Sequence, residues 1–223
     1  MYGKSYPPVC RIHFCEHDCS KRSLLETHIH AAYARVYGAD IQEFMPLLIG
    51  LESDDGRILG AMGLRLAAEE GLLLEHYLEL PIEQTLESRL GRPVERASIV
   101  ELGNLAAGSP GAARLLVVAL NAYLHAAGFD WVSFTAVPVL RNVFARMGLG
   151  LMELGSADAK RLASSRNDWG SYYRQRPVVV AGDVEYGFGR LDRLIQAEQV
   201  HSLLSRLWRD ACDGGRQVLW ARA

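Results

Sequence analysis

The sequence predicts a mixed α/β domain carrying an extra helix at its C-terminal end, and three observations lead there. Apolar runs of strand length alternate along the chain with stretches of helical apolar spacing. Residues 97–149 read strand, helix, strand, helix, and a crossover of that length pairs neighbouring strands in parallel with a right-handed connection. Finally, 223 residues, 49% hydrophobic and 22% charged, suffice to bury a core without disulfide or metal staples.

Taken in order, residues 8–15 alternate between apolar and polar and read as a strand. Leu24, Leu25, His28, Ile29, Ala32, Tyr33 and Val36 then recur at helical spacing up to Gly38. Residues 46–51 and 57–66 are two apolar runs joined by a loop whose Asp55-Gly56 pair suits the positive φ of a tight hairpin. In the second run Ile58, Met62, Leu64 and Leu66 are expected on one face. Pro81 opens a short helix bearing Ile82, Leu86 and Leu90, and Gly91-Arg92-Pro93 stops it.

Residues 97–106 form a largely buried strand. Ser109 is the N-cap of helix 110–127, Pro110 fits its first position, and Gly128 supplies a left-handed end. That helix is apolar nearly all round, with a polar stripe of Arg114, Asn121 and His125, so most of it belongs against a sheet. Residues 131–137 make a second strand, and Pro138 begins a helix with Val139, Leu140, Val143, Phe144 and Met147 along one side. Residues 178–181 are a short strand, and residues 191–208 a helix through Leu194, Ile195, Val200, Leu203, Leu204 and Leu207. No repeat or linker splits the chain. Residues 1–187 are read as one domain and 188–223 as an amphipathic helical extension, packed on that domain or on a partner such as a second copy.

Charge excludes whole classes. Lys and Arg number 24 against 26 Asp and Glu, so nothing in the overall balance attracts nucleic acid or an anionic membrane. Nowhere do about 18 apolar residues run together, and the first residues lack a signal-peptide stretch, so a cytoplasmic protein with reduced thiols is expected. Cys10, Cys15 and Cys19 lie near His13, His17, His28 and His30, but at spacings unlike a zinc site, and no metal is expected. Helix 191–208 has Arg190, Arg193, Arg206 and Arg209 near its polar side, diluted by Asp192, Glu198 and Asp210, which favours packing over membrane binding.

The chemistry gathers around the turn Ala106-Ala-Gly-Ser-Pro-Gly-Ala-Ala-Arg114. Small residues let a ligand approach the backbone, and the free amides of a helix's first turn attract phosphate or pyrophosphate. Just before it, Glu101 and Asn104 sit in an otherwise apolar strand, where a carboxylate is costly unless paired, solvated or protonated. Gly103 between them marks a possible bulge that turns both to one side. Two roles stay open for Glu101: a base that prepares an amine, beside an Asn104 amide that holds an acyl carbonyl, or an anchor paired with Arg141 or Arg146.

The stretch from strand 97–106 through helix 140–149 resembles the coenzyme A-binding half of the GNAT superfamily of acyltransferases. Gly111 and Ala113 fit the last two fixed positions of its pyrophosphate loop, with Gly108 at the position of the Gln or Arg; Asn142 and Gly148-Leu149 fit its later helix, with Phe144 at the position of the usual tyrosine. The segments Tyr77-Leu-Glu-Leu-Pro-Ile-Glu83, Gly91-Arg-Pro-Val94, Ile99-Val-Glu-Leu-Gly-Asn-Leu-Ala106, Trp131-Val-Ser-Phe-Thr-Ala136 and Trp169-Gly-Ser-Tyr-Tyr173 are similar, over roughly residues 10–185, to the bacterial thermostable hemolysin family. That family looks distantly like GNAT enzymes and the acyl-homoserine-lactone synthases, whose strand carries Glu-x-x-Arg where this chain has Glu101 and Asn104.

The resemblance implies a GNAT-like mixed central sheet flanked by helices. It implies an acyl group moved from acyl-CoA, or from the phosphopantetheine of an acyl carrier protein, to an amine or other small acceptor. Leu105, Ala107, Gly108, Gly111, Ala112, Ala113, Arg114 and Asn142 are the residues expected to bind the coenzyme. Glu101, Asn104 and Tyr172 are the expected catalytic ones, Tyr172 replacing the acid absent at Phe144 unless Trp169, Tyr172 and Tyr173 simply wall a binding site. Arg166, Arg174 and Arg176 flank them and suit phosphates or an acidic carrier. The alternatives are the membrane damage of the family's name, and a GNAT-like binding module without activity.

Overall fold

The structure, a computed structural model, describes residues 10–69, 71–162, 168–196 and 203–222. Strands β1 (Cys10–Cys15), β2 (Leu47–Ser53), β3 (Ile58–Leu66), β4 (Ile99–Ala107), β5 (Trp131–Ala136), β6 (Met152–Ser156) and β7 (Val178–Asp183) form one sheet in the order β1-β2-β3-β4-β5-β7-β6. Around it lie α1 (Arg22–Tyr37), α2 (Ile82–Leu90), α3 (Pro110–Ala126), α4 (Pro138–Arg146), α5 (Val184–Gln196) and α6 (Leu203–Arg222). The β4–β5 pair is parallel and the other pairs antiparallel, which is the mixed sheet flanked by helices, with an added C-terminal helix, expected from the sequence.

Local signals explain most boundaries. Gly38, Gly91, Gly128 and Gly148 all take positive φ beside helix ends, where the left-handed conformation closes the last turn. Ser109 caps α3 by accepting the Ala112 N–H, and Pro110 occupies the first turn. Gly56 turns the β2–β3 hairpin at φ 82. One face of β3 departs from expectation. A register shift pairs Leu51 with Gly60 but Glu52 with Ile58, so the chain bulges at Leu59. Met62, Leu64 and Leu66 therefore face the core under α3, while Ile58 turns to the other side with Met45.

The largest cluster lies between α3 and the sheet, and α6 covers the outer side of α3 with Leu204, Leu207 and Trp208 buried. A Cβ at Gly215 would come 2.3 Å from the Tyr123 carbonyl oxygen, so glycine is what lets the two helices touch. The polar stripe of α3 is covered too. Asn121 is buried and its side-chain amide donates to the Val184 carbonyl, while His125 bonds Glu185 and stacks on Phe188. A second cluster, with Leu74, Ile82, Leu86 and Trp131, and a third, with Leu25, Ile29 and Met45, fill the opposite face.

Other corrections concern the ends of the chain. The helix expected over 191–208 crosses residues 197–202, which with Glu198 and Val200 lie outside the described residues, as does Arg166. Before that segment α5 already begins at Val184, and after it α6 continues to Arg222. Cys15 and Cys19 form a disulfide across the turn after β1, where their Cα atoms are 5.1 Å apart, against the expectation of reduced thiols; Cys212 is free and buried. Among the described residues, no helix is long and apolar enough to cross a membrane.

Candidate active site

The parallel ladder runs from Ile99↔Trp131 to Leu102↔Phe134, after which β4 continues to Ala107 and β5 to Ala136 with no further pair. At that point β4 also bulges. Gly103 pairs with Gly63 and Ala106 with Ala61, so Asn104 and Leu105 together face one residue of β3. Asn104 adopts φ 51, the left-handed region that Asn tolerates better than most residues. Its Oδ1 accepts the Met45 N–H at 2.8 Å. Gly103 serves space rather than twist, since a Cβ there would meet the Met45 methyl at 2.3 Å. The extra residue turns the Asn104 side chain to the Met45 face, where Gly103 and hence Glu101 also point. The bulge expected at Gly103 thus lies one residue on, and it does bring Glu101 and Asn104 to one side.

Glu101 is 3% exposed. Its two oxygens accept the N–H groups of Leu73 and Leu74, each at 2.9 Å, at the start of the 3-10 turn Leu73–Tyr77. Burial pushes its pKa up to about 7, although those amides and Arg65 pull the other way. Of the two roles left open for Glu101, the pairing with Arg141 or Arg146 is not seen among the described residues: Arg141 pairs with Glu153, and Arg146 lines a cavity among the helices. The 3-10 turn is held from outside by Glu75, which accepts the Leu72 and Ile82 N–H groups and is clamped with Glu83 by Arg96.

Tyr172 is buried, and its hydroxyl lies 3.0 Å from Thr135 Oγ1 and donates to the Thr135 carbonyl, one residue beyond the last β4–β5 pair. Burial holds its pKa well above the phenol range, so it stays a proton donor. Tyr173 bonds Tyr77 hydroxyl to hydroxyl at 2.5 Å, and Glu101 raises the pKa of Tyr77 after burial and the other tyrosines. Tyr37 meets the Tyr172 ring edge-on, and Trp169 packs on Tyr172 and Tyr173. Arg174 and Arg176 are exposed.

The turn after β4 is less open than the sequence suggests. The Gly108 N–H bonds the Leu59 carbonyl, the Ala112 N–H is taken by Ser109, and Pro110 has none, which leaves the Gly111 amide as the first-turn donor outside these bonds. Ala112 is buried, Leu105 packs on the core, and Ala107, Ala113 and Arg114 are half-buried. Gly108 and Gly111 are exposed, and a Cβ at Gly111 would find only Ser109 Oγ, at 3.8 Å. Asn142 is exposed on α4. Among the described residues no group of three or more His, Cys, Asp or Glu could hold a metal ion.

Sequence reasoning passed over Ser133 and Thr135. Ser133 is fully buried opposite Glu101 in the ladder, its Oγ without a hydrogen-bond partner among the described residues. The signal was there: Ser and Thr alternate in Trp131-Val-Ser-Phe-Thr-Ala136, on the face that Glu101 shares.

The family model described as thermostable hemolysin matches residues 15–188. No curated protein matches the chain. Among solved structures, the fold is similar to that of FeeM, an N-acyl amino acid synthase from uncultured soil microbes, with a TM-score of 0.59 at 15% identity over 84% of this chain and 98% of that one. It is similar to BjaI, a CoA-dependent acyl-homoserine lactone synthase seen with SAM and isopentyl-CoA, at 0.56 and 13% identity over 89% and 98%. It is also similar to the acyl-homoserine lactone synthase LasI, at 0.53 and 12% identity over 79% and 91%.

Proposed function

We propose that this chain, which belongs to the thermostable hemolysin family, moves an acyl group from a thioester to an amine or other small acceptor. The donor is acyl-CoA or the phosphopantetheine of an acyl carrier protein. One observation carries the reading: the β4–β5 ladder ends at Leu102 and Phe134 immediately before the Asn104 bulge, with the Glu101 carboxyl on one of the strands that part there and the Tyr172 phenol, from the 3-10 turn Tyr172–Gln175, bonded to Thr135 on the other. Backbone groups left unpaired between parting strands suit the amides of a pantetheine arm. The Gly111 amide, on an open stretch of helix N-terminus, suits its phosphates. The names of the like-folded proteins, N-acyl amino acid and acyl-homoserine lactone synthases, support the acyl-transfer class.

The chemistry follows from the two titrating groups. The acceptor nitrogen attacks the thioester carbonyl carbon, the C–N bond forms and the C–S bond breaks. The acceptor's proton goes to Glu101, whose oxygens each keep a second lone pair beyond the backbone N–H they accept, and whose pKa of about 7 suits a base at neutral pH. The departing thiolate takes the Tyr172 proton. Turnover therefore rises with pH through about 7, as Glu101 deprotonates.

Thiol release from decanoyl-CoA, with and without a mixture of small amines, tests the reading in wild type and Gly111→Trp. Acceptor-dependent release in wild type and its loss in the folded variant are expected. Equal release in both contradicts the reading, and binding of the thioester without release makes the chain a binding module.

A further inference from the structure

On the helical side of the sheet, α3, α4, α5 and α6 line a cavity of about 410 Å³ that borders the proposed coenzyme turn at Pro110 and Arg114 and extends away from it. It lies on the face opposite Glu101 and Asn104. Its floor is aliphatic, built from residues such as Val118, Met147 and Ile195, and the charged groups that line it are Arg114, Arg146 and Arg190, one from each of three helices. Among the described residues, the lining holds no acidic side chain and no aromatic ring.

Several other arginines carry acidic or carbonyl partners. Arg22 is satisfied by Glu26 and the Met45 and Pro46 carbonyls, Arg96 by Glu75 and Glu83, and Arg141 by Glu153. Among the described residues none of the three cavity arginines has an acidic partner, and the Nε of Arg114 is buried without a hydrogen bond. The Arg190 guanidinium lies against the turn after α4: a Cβ on Gly148 would stand 2.6 Å from its Nε. Arg146 and Arg190 reach solvent at the rim and Arg114 is half-buried, so the unmet polar atom in the cavity wall is the Arg114 Nε, which lacks an acceptor among the described residues.

The lining selects the ligand. Among the described lining residues a nucleobase would find no ring to stack on and no side-chain acceptor to read its edge, whereas an alkyl chain matches the floor and an anionic head matches the guanidinium groups. The volume is near the low end of the ~300–1,000 Å³ of small-molecule sites, which suits one chain rather than the two of a phospholipid. We propose that this cavity binds a single medium-chain fatty carboxylate, its chain on the aliphatic floor and its head group between Arg114, Arg146 and Arg190.

Calorimetric titration of the whole chain with hexanoate, octanoate and decanoate tests this without thioester or acceptor, and adenosine 3′,5′-diphosphate as competitor tells a fatty-carboxylate site from an extension of the proposed coenzyme site at Arg114. Affinity should rise about fourfold per added methylene, and decanol should bind at least ~10-fold more weakly than decanoate for want of a charge. Arg114→Met, which keeps the apolar stem, should weaken decanoate about 10-fold. Leu194→Glu, at a lining position 38% exposed and therefore tolerant of change, should abolish binding while the melting temperature holds. The assignment is overturned if decanol binds as well as decanoate, if chain length does not matter, or if adenosine 3′,5′-diphosphate displaces decanoate. It is equally overturned if phosphatidylglycerol vesicles bind while monomeric decanoate does not.

Discussion

Replacing Glu101 by Gln separates the carboxyl's proton from its role as a backbone acceptor, and the pH dependence of stability reads the two apart. In the unfolded chain a glutamate titrates near ~4.3. In the fold, burial raises Glu101 to about 7. Between those values the folded chain keeps a proton that the unfolded chain has lost, so this group's contribution to stability falls as pH rises through the window. From pH 5 to pH 8 the loss is about 2–3 kcal/mol. Glutamine has no such proton. It offers one acceptor to the two N–H groups of Leu73 and Leu74 and turns its own NH₂ toward the other, a cost of roughly 1–3 kcal/mol at every pH. His13 and His28, lowered chiefly by burial, add an opposite slope in the same range, but they are common to both proteins and cancel in the difference. Urea unfolding of wild type and Glu101→Gln at pH 5 and pH 8 should therefore show wild type losing about 2–3 kcal/mol relative to the variant on going to the higher pH. A difference constant to within ~1 kcal/mol would mean that Glu101 is ionised throughout, and the burial argument would fail.

Tyr172→Phe removes the phenol that reaches Thr135 and should lower acyl-transfer turnover by about 100-fold while thioester affinity stays within a few-fold; unchanged turnover in a steady-state assay would free Tyr172 of the acid role. Asn104→Ala strips the Met45 N–H of its acceptor and forces alanine into left-handed backbone, so thermal unfolding should show a loss of roughly 2–4 kcal/mol. Asn104→Gly keeps that backbone and should lose ~1 kcal/mol less, a ranking that would reverse if the bulge were not left-handed. Leu207→Ala, at a fully buried position between α6 and α3, should cost about 2–5 kcal/mol in denaturant unfolding, whereas a cost under ~1 kcal/mol would detach α6 from the core.

Elements with chemical punctuation were legible in the sequence. Ser109-Pro110, Gly38, Gly91 and Gly128 mark helix ends through capping and left-handed turns that are local properties of those residues. What depends on distant partners was not. Strand β6 is five residues at the sheet edge with Leu154 as its one buried residue, too short a pattern to stand out. The polar stripe of α3 reads as solvent-facing until α5 lays Val184 and Phe188 over it. Ile58 changes face because of a bulge that only pairing with β2 reveals. At the site, the cost of burying Glu101 was visible in its apolar strand, but its partners are two backbone amides some 27 and 28 residues away, and no side chain announces them. The Asn104 bulge was foreshadowed by Gly103, although the glycine answers to the Met45 side chain and the asparagine supplies the turn.

Acyl transfer at the parted strands requires that an acyl group leave a thioester for an acceptor. Mass spectrometry of a reaction containing decanoyl-CoA and the amine mixture, with free thiol measured in parallel, reads this directly. An N-decanoyl product in one-to-one ratio with released thiol is expected, absent with Gly111→Trp. Thiol released with free decanoate in place of an acylated amine, or product formed equally by the variant, would contradict it.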